Sequence, residues 1–241
     1  MLKALQFHSI TKNFKFGGTW NYPAQLENFI KTIHKLGYEI VLPDMKKEGV
    51  VLVFDDGEEN LYHYAFPILK KYRCPAIIFL IVGYIGKKNL WDISLFSRHH
   101  HLNWRQIMEM KENGIAFGSH TMSHPDLTKL SAANLEYELS ESKRILEKYL
   151  GPIDFISYPF NRVNQRVIKK VREIGYKFGF GGKGEDNLTI KKEGVYITDN
   201  ARSLKIKITE KPRSFYHYAR IQQKVINLFS IATLLNRRKA K

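Results

Sequence analysis

The chain has 241 residues, which is enough for one large domain or two small ones. Apolar residues make up 44% of it and charged residues 26%, which excludes collagen-like and wholly disordered proteins. The 39 Lys and Arg outnumber the 23 Asp and Glu, for a net charge of +16, and residues 211–241 hold eight basic side chains and no acidic one.

Apolar β-branched runs alternate with amphipathic helical patterns along most of the chain, which is typical of an α/β fold. One predicted helix follows Pro23 and stops at Gly37, a second runs from an N-cap at Ser131 to Gly151, and a third ends before Gly175. Strands buried on both faces are predicted at residues 39–42, 50–54, 76–82, 115–118, 153–158 and 176–180. These elements predict a parallel sheet or barrel.

Residues 83–104 show no clear periodicity and predict a long loop over one end of the sheet. This loop contains His99, His100 and His101. Because neighbouring side chains diverge, we interpret the three histidines as part of the loop, at most a rim of the pocket.

The first candidate site lies where the apolar run 50–54 ends in Asp55, Asp56 and Gly57. Ligands bind at the carboxyl ends of the strands in parallel α/β sheets, so both carboxylates should reach the functional face. Adjacent residues point in different directions, so one can bind a metal while the other meets substrate or water. The alternative is turn chemistry alone, which Asp-Gly often provides.

The second candidate is the pair His120 and His124, which follows the run 115–118. Two histidines four residues apart share one face if the segment turns helical, as in many metal sites. The single cysteine, Cys74, excludes an internal disulfide and any multi-cysteine metal site, so a metal needs His and carboxylate ligands.

The third candidate is the aromatic-proline-aromatic turn Tyr158, Pro159 and Phe160, followed by Asn161. A core strand and a turn would explain it, since Asn tolerates a positive φ. The functional interpretation is a rigid aromatic wall for a sugar ring or an acyl methyl group.

In order and spacing, these three segments resemble the first three motifs of the polysaccharide deacetylases, and the resemblance extends over about residues 2–200. It implies a distorted (β/α) barrel and one divalent metal ion, zinc as first choice with Co, Ni, Fe or Mn as alternatives. The implied metal ligands are Asp56, His120 and His124, and Asp55 is the implied general base.

Two departures from the family pattern concern the catalytic groups. No late Leu-x-His motif supplies a general acid, but residues 5–10 resemble the opening strand of the circularly permuted poly-N-acetylglucosamine deacetylases, which makes His8 the implied acid in preference to His217. The frequent arginine of the third motif is absent, with Ser157 and Tyr158 before the proline, and Asn161 replaces the usual glycine. What holds Asp55 electrostatically is left open.

The predicted function is metal-dependent N-deacetylation of an N-acetylated sugar, in a glycan or a lipid-linked unit. The alternatives are hydrolysis of another amide or an ester, and a glycan-binding relic without catalysis. Nucleic-acid binding is disfavoured, because outside the tail the basic residues are dispersed and no zinc-finger or Walker motif is present.

The predicted organisation is a barrel domain over residues 1–210 and a basic amphipathic helix over 211–241. This helix packs on the barrel or, alternatively, binds an anionic lipid surface at the membrane periphery. The sequence shows neither a secretory signal nor an apolar run long enough to span a bilayer, so we expect a cytoplasmic protein, peripheral to the inner face of the membrane at most.

Overall fold

The computed structural model describes residues 2–15, 18–43, 48–88, 100–211, 214, 215, 217 and 221. The strands are β1 Leu2–Phe7, β2 Ser9–Ile10, β3 Trp20–Asn21, β4 Gly49–Phe54, β5 Ala76–Leu80, β6 Ile115–Ser119, β7 Phe155–Ser157, β8 Phe178–Phe180 and β9 Lys192–Gly194. The α-helices are α1 Pro23–Lys35, α2 Phe66–Tyr72, α3 Trp104–Glu112, α4 Ala132–Leu150, α5 Gln165–Ile174 and α6 Ala201–Thr209. A π-helical turn, Leu61–Ala65, precedes α2, and 3₁₀ turns lie at Val82–Tyr84, Leu127–Lys129 and Pro159–Asn161.

Seven parallel strands form a sheet in the order β8-β7-β6-β5-β4-β1-β9. Its two ends come together through one stretch of chain, because Ile190 bridges to Phe180 of β8 while Lys192 pairs with Ala4 of β1. The sheet is therefore almost closed, and the predicted distorted (β/α) barrel is confirmed.

Alternation along the strands separates two apolar cores. One face of the sheet contributes to a cluster inside the barrel, to which β4 gives Val51 and Val53 and β5 gives Ile77 and Phe79. The other face packs under the helices in a larger cluster that includes Leu52. The inward positions lead to the mouth of the barrel, at the carboxyl ends of the strands.

The three predicted helices are present as α1, α4 and α5. The Ser131 hydroxyl accepts a hydrogen bond from Asn134 N at the start of α4, and Gly151 and Gly175 end α4 and α5 with positive φ, as the sequence pattern predicted.

One predicted strand is wrong. Residues 39–42 make only an isolated bridge, between Ile40 and Val50, while β4 pairs along its whole length with β1 and at Val53 and Phe54 with β5. The other predicted strands exist with bounds shifted by a few residues. The sequence did not reveal β9 or α6. Most of the predicted helix in the basic tail lies outside the described residues.

Within the described part of the chain, every helix is too short or too polar to cross a membrane.

Candidate active site

The strand alternation of β4 carries Asp55 into the mouth of the barrel. Val51 and Val53 point inside, so Asp55, two residues further on, follows the same direction. Asp56 then adopts a φ of 71° and Gly57 a φ of 64°, which turns the chain away from the strand. A Cβ at Gly57 would lie 2.7 Å from the Leu80 side chain, so the close contact and the positive φ both favour glycine at this turn.

The histidine pair lies on the loop that follows β6, and this segment does not turn helical. Thr121 and His124 have φ values of 69° and 60°, outside the helical region. Side chains replace the helical hydrogen bonds, because Ser119 Oγ accepts from Thr121 N at 3.0 Å and Thr121 Oγ1 accepts from His124 N at 3.0 Å. The two imidazoles still converge, with ring centroids 4.7 Å apart.

Helix α4 holds this loop through Glu138, whose side chain is buried. Its carboxylate accepts from Met122 N at 2.8 Å, from Ser123 N at 2.9 Å and from Ser123 Oγ at 2.6 Å. Three hydrogen bonds to one carboxylate fix the backbone between the two histidines.

Asp56, His120 and His124 form a buried group in which each residue offers one ligand atom within 4.8 Å of the others. Asp56 Oδ1 lies 3.5 Å from His120 Nε2 and 3.7 Å from His124 Nε2. Two ligand atoms each about 2.1 Å from one zinc ion would be roughly 3.4 Å apart in tetrahedral geometry, so the spacing fits. His120 Nδ1 donates to Ser157 O at 2.7 Å, which leaves Nε2 free to act as a ligand.

Asp55 is buried and is held by three donors. Gln6 Nε2 and Lys192 Nζ each donate to Oδ2 at 2.6 Å, and Ser157 Oγ donates to Oδ1 at 2.9 Å. Burial alone would raise the pKa of Asp55, but the Lys192 ammonium, together with the nearby His120 and His8, more than offsets burial and holds this pKa well below its usual range. The donors and the nearby positive charge therefore favour the anionic form of Asp55.

Lys192 supplies the positive charge beside Asp55 that the missing arginine of the third motif left unassigned, and no sequence pattern predicted it. Its ammonium also donates to Ser157 Oγ at 2.6 Å, so the residue in the third motif and the lysine of β9 act on the same carboxylate. The stretch 190–194 has no strand-like apolar pattern that would have predicted β9. Gln6 was detectable, because it shares the strand face of His8 two residues before it.

His8 follows β1 on the face of Ala4 and Gln6, over the mouth of the barrel. It is half-buried, and its Nε2 lies 3.5 Å from the Gln6 Nε2 that also bonds Asp55. Burial lowers the pKa of His8, and the nearby Asp55 carboxylate opposes that effect. The alternative acid, His217, is exposed.

The residues of the proposed aromatic wall, Tyr158, Pro159 and Phe160, lie in different environments. Tyr158 is fully buried and its hydroxyl donates to Leu188 O at 2.8 Å, so it is a core residue behind the site, which corrects its assignment to the substrate wall. Pro159 is also buried. Phe160 is half-buried with its ring 4.7 Å from that of His124, so it is the member that borders the group Asp56, His120 and His124. Asn161 has a φ of 55°, in line with its tolerance of a positive φ.

Comparison with known proteins agrees with this geometry. A family model described as polysaccharide deacetylase matches residues 43–179, more than half of the chain. The putative polysaccharide deacetylase YxkH of Bacillus subtilis is 30% identical over 83% of this chain and 71% of its own length. The poly-beta-1,6-N-acetyl-D-glucosamine N-deacetylase of Staphylococcus aureus is 31% identical over 56% of this chain and 48% of its own length, so the match spans about half of that relative.

Among solved structures, the deacetylase PplD of Streptococcus pyogenes, determined in complex with acetate, superposes with a TM-score of 0.71. The match covers 86% of this chain and 97% of PplD at 23% sequence identity, which establishes the shared fold. With the barrel, the motif matches and the family model in agreement, the chain belongs to the polysaccharide deacetylase family.

Proposed function

We propose that the chain is a metal-dependent N-deacetylase that hydrolyses the acetamide of an N-acetylated amino sugar. The observation that carries the proposal is that two neighbouring carboxylates, Asp55 and Asp56, lie at the same site in different environments. Asp56 belongs to a group with metal-ligand spacing, while Asp55 Oδ2, 4.0 Å from His120 Nε2, is held as an anion by Lys192. A family of deacetylases and the activity named for the S. aureus relative support the choice of substrate.

Asp56, His120 and His124 would hold the ion, and three protein ligands leave positions open for water and for an amide oxygen. When bound, a divalent ion supplies Lewis-acid polarisation of the amide carbonyl and acidifies water. Zinc is the first choice, and Co, Ni, Fe or Mn suit the same ligands.

The chain's own residues supply the proton transfers. Asp55, anionic and fixed by three donors, takes the proton from the attacking water as general base. An amide nitrogen does not leave as an anion, so an acid must protonate it. His8 lies over the barrel mouth on the same face as Gln6, which bridges it to Asp55. Its lowered pKa means that, once protonated, His8 gives up its proton readily. The products are acetate and the free amine.

The role of His8 can be tested by changing the leaving group. We expect His8→Ala to keep the metal and to lower amide hydrolysis by about 10²- to 10⁴-fold, the usual contribution of an acid. An activated acetate ester, whose leaving group needs no proton, should be hydrolysed at nearly the wild-type rate. Rates on both substrates and the metal content of the purified variant provide the measurement.

Equal losses on amide and ester would assign His8 a positioning role. No loss on either substrate would transfer the acid role to His217, and His217→Ala is the matched variant.

The proposal as a whole is tested by metal content and acetate release. We expect about one divalent ion per chain, release of acetate from N-acetylglucosamine oligomers, loss of both after chelation, and recovery on adding Zn²⁺ or another divalent ion. Glycan binding without acetate release would identify a non-catalytic relic. Release from acetate esters alone would identify an esterase.

We further propose that the substrate is a polymer or a lipid-linked unit of an envelope glycan, and that the basic residues 211–241 bring the enzyme to an anionic membrane surface on the cytoplasmic side. A lipid-linked N-acetylated sugar in anionic vesicles should then release acetate faster than the same sugar in neutral vesicles. Equal rates in both vesicles would contradict the membrane contact.

A further inference from the structure

The last histidine of the run 99–101 is buried behind the metal-ligand turn, although its neighbour His100 is exposed. We infer that His101 is a positioning residue for the metal. Its ring forms a hydrogen bond to the backbone carbonyl of Asp56 and thereby fixes the orientation of the Asp56 carboxylate, the proposed ligand. The inference rests on the proposed metal site and adds to it a residue that the sequence pattern placed, at most, on the rim of the pocket.

The contact has a defined direction. His101 Nδ1 lies 2.9 Å from Asp56 O. A carbonyl oxygen only accepts, so Nδ1 must carry the hydrogen and the ring donates through it. His101 thus supplies one N–H to the main chain of a residue whose side chain is a proposed ligand.

The turn that receives this hydrogen bond is one that needs support. Asp56 has a φ of 71°, in the left-handed region where a non-glycine residue costs roughly 1–2 kcal/mol. The next carbonyl is held from the same side, because Leu102 N donates to Gly57 O at 2.9 Å. Two consecutive carbonyls of the ligand turn are therefore fixed by residues 101 and 102.

The segment that carries His101 is itself anchored. His101 N donates to Lys87 O at 3.0 Å, and Glu59 N donates to His100 O at 2.8 Å. His101 also forms an antiparallel bridge with Glu58, two residues after Asp56. The backbone that carries the His101 ring is therefore hydrogen-bonded to Lys87 on one side and to Glu59 on the other, which fixes the ring next to Asp56.

Packing alone does not account for an imidazole at this position. Nε2 of His101 is buried and has no hydrogen-bond partner within the described ranges, and the ring centroid lies 5.4 Å from that of Tyr84. A buried polar atom without a partner costs about 1–3 kcal/mol, which an apolar ring of similar size would avoid. The hydrogen bond to Asp56 is the feature that only a ring with an N–H supplies.

Two substitutions separate the hydrogen bond from the volume of the ring. His101→Phe fills the space without a donor, whereas His101→Asn is smaller but places an amide N–H near the position of Nδ1. His100→Ala is the matched control. It removes the exposed imidazole of the preceding residue and leaves the His100 carbonyl, which accepts from Glu59 N, in place. Zn²⁺ affinity is measured by competition with a chromophoric chelator, with thermal melts of the metal-free proteins as a check of folding.

We expect His101→Phe to weaken Zn²⁺ binding by about 10- to 100-fold, the usual effect of losing a group that orients a ligand. His101→Asn should bind within a few fold of wild type, and His100→Ala should match wild type. At saturating Zn²⁺ the His101→Phe variant should regain most of its kcat, because His101 does not touch substrate.

Wild-type affinity in His101→Phe overturns the inference, as does an equal loss in the Asn and Phe variants. If His101→Phe fails to fold, His101→Asn decides alone: near-wild-type affinity supports the inference, and a tenfold loss overturns it. Failure of the wild-type protein to bind Zn²⁺ would instead contradict the proposed function, so the two failures are distinguishable.

Discussion

Replacing His124 with alanine is expected to abolish both stoichiometric metal binding and deacetylase activity while the fold stays intact. His124 lies on a loop above a core that packs without it, and the loop is held by Glu138 and by Thr121 rather than by the His124 ring. Loss of one of three protein ligands leaves too few groups to retain the ion. Metal content after gel filtration, acetate release and a thermal melt provide the measurement.

His120→Ala should lose metal and activity to the same extent, but it should also lower stability. His120 is more deeply enclosed, and its Nδ1 donates to Ser157 O, which would lose that donor in the variant. His63→Ala, at an exposed histidine on the π-helical turn, is the control and should change none of the three readouts. Full metal occupancy in His124→Ala would remove that residue from the ligand set.

Three of the predicted site residues, which the structure brings close together, share one physical property. Asp55, Asp56 and His120 lie at or within a few residues of the end of an apolar run, and a parallel sheet brings the carboxyl ends of its strands to one rim. Local sequence is then enough to predict that they meet, even though His120 lies 65 positions after Asp55 in the chain.

What the sequence did not predict depends on contacts between distant segments or on side chains that compete with the backbone. The strand β9 has the sequence Lys-Glu-Gly and exists because β1 offers it a pairing edge, so no local pattern announces Lys192. The loop at residues 120–124 would suit a helix by spacing, but hydrogen bonds to Ser119, Thr121 and Glu138 replace the helical ones. His101 is indistinguishable from His99 and His100 until the chain folds back on residues 56–59.

Asp55→Asn should keep the metal and lose about 10²- to 10⁴-fold in rate, because the amide cannot accept the proton from water. Loss of metal instead would exchange the roles of Asp55 and Asp56.

Lys192, which donates to Asp55, gives a sharper test, since it contacts the proposed base and not the proposed metal ligands.

Lys192→Met is expected to change the pH dependence of kcat/KM. In the wild type, burial favours the neutral acid, but the Lys192 ammonium, with smaller contributions from His120 and His8, keeps the pKa of Asp55 well below its usual range, so the anion persists as pH falls. Without the ammonium, burial raises the pKa of Asp55. Activity should then decline at a higher pH than in the wild type as the solution is acidified, and it should recover toward alkaline pH.

The neighbouring Lys191→Met is the matched control, because Lys191 is partly exposed and pairs with Glu193 outside this network; its profile should follow the wild type. Lys192→Met should also lower the free energy of unfolding by about 3–5 kcal/mol at neutral pH, since it leaves a buried carboxylate without its countercharge. The double variant with Asp55→Asn removes that carboxylate, so it should regain much of this stability and be no slower than Asp55→Asn alone. A rate loss in Lys192→Met that is the same at every pH would show that the lysine orients the site without setting the charge of Asp55.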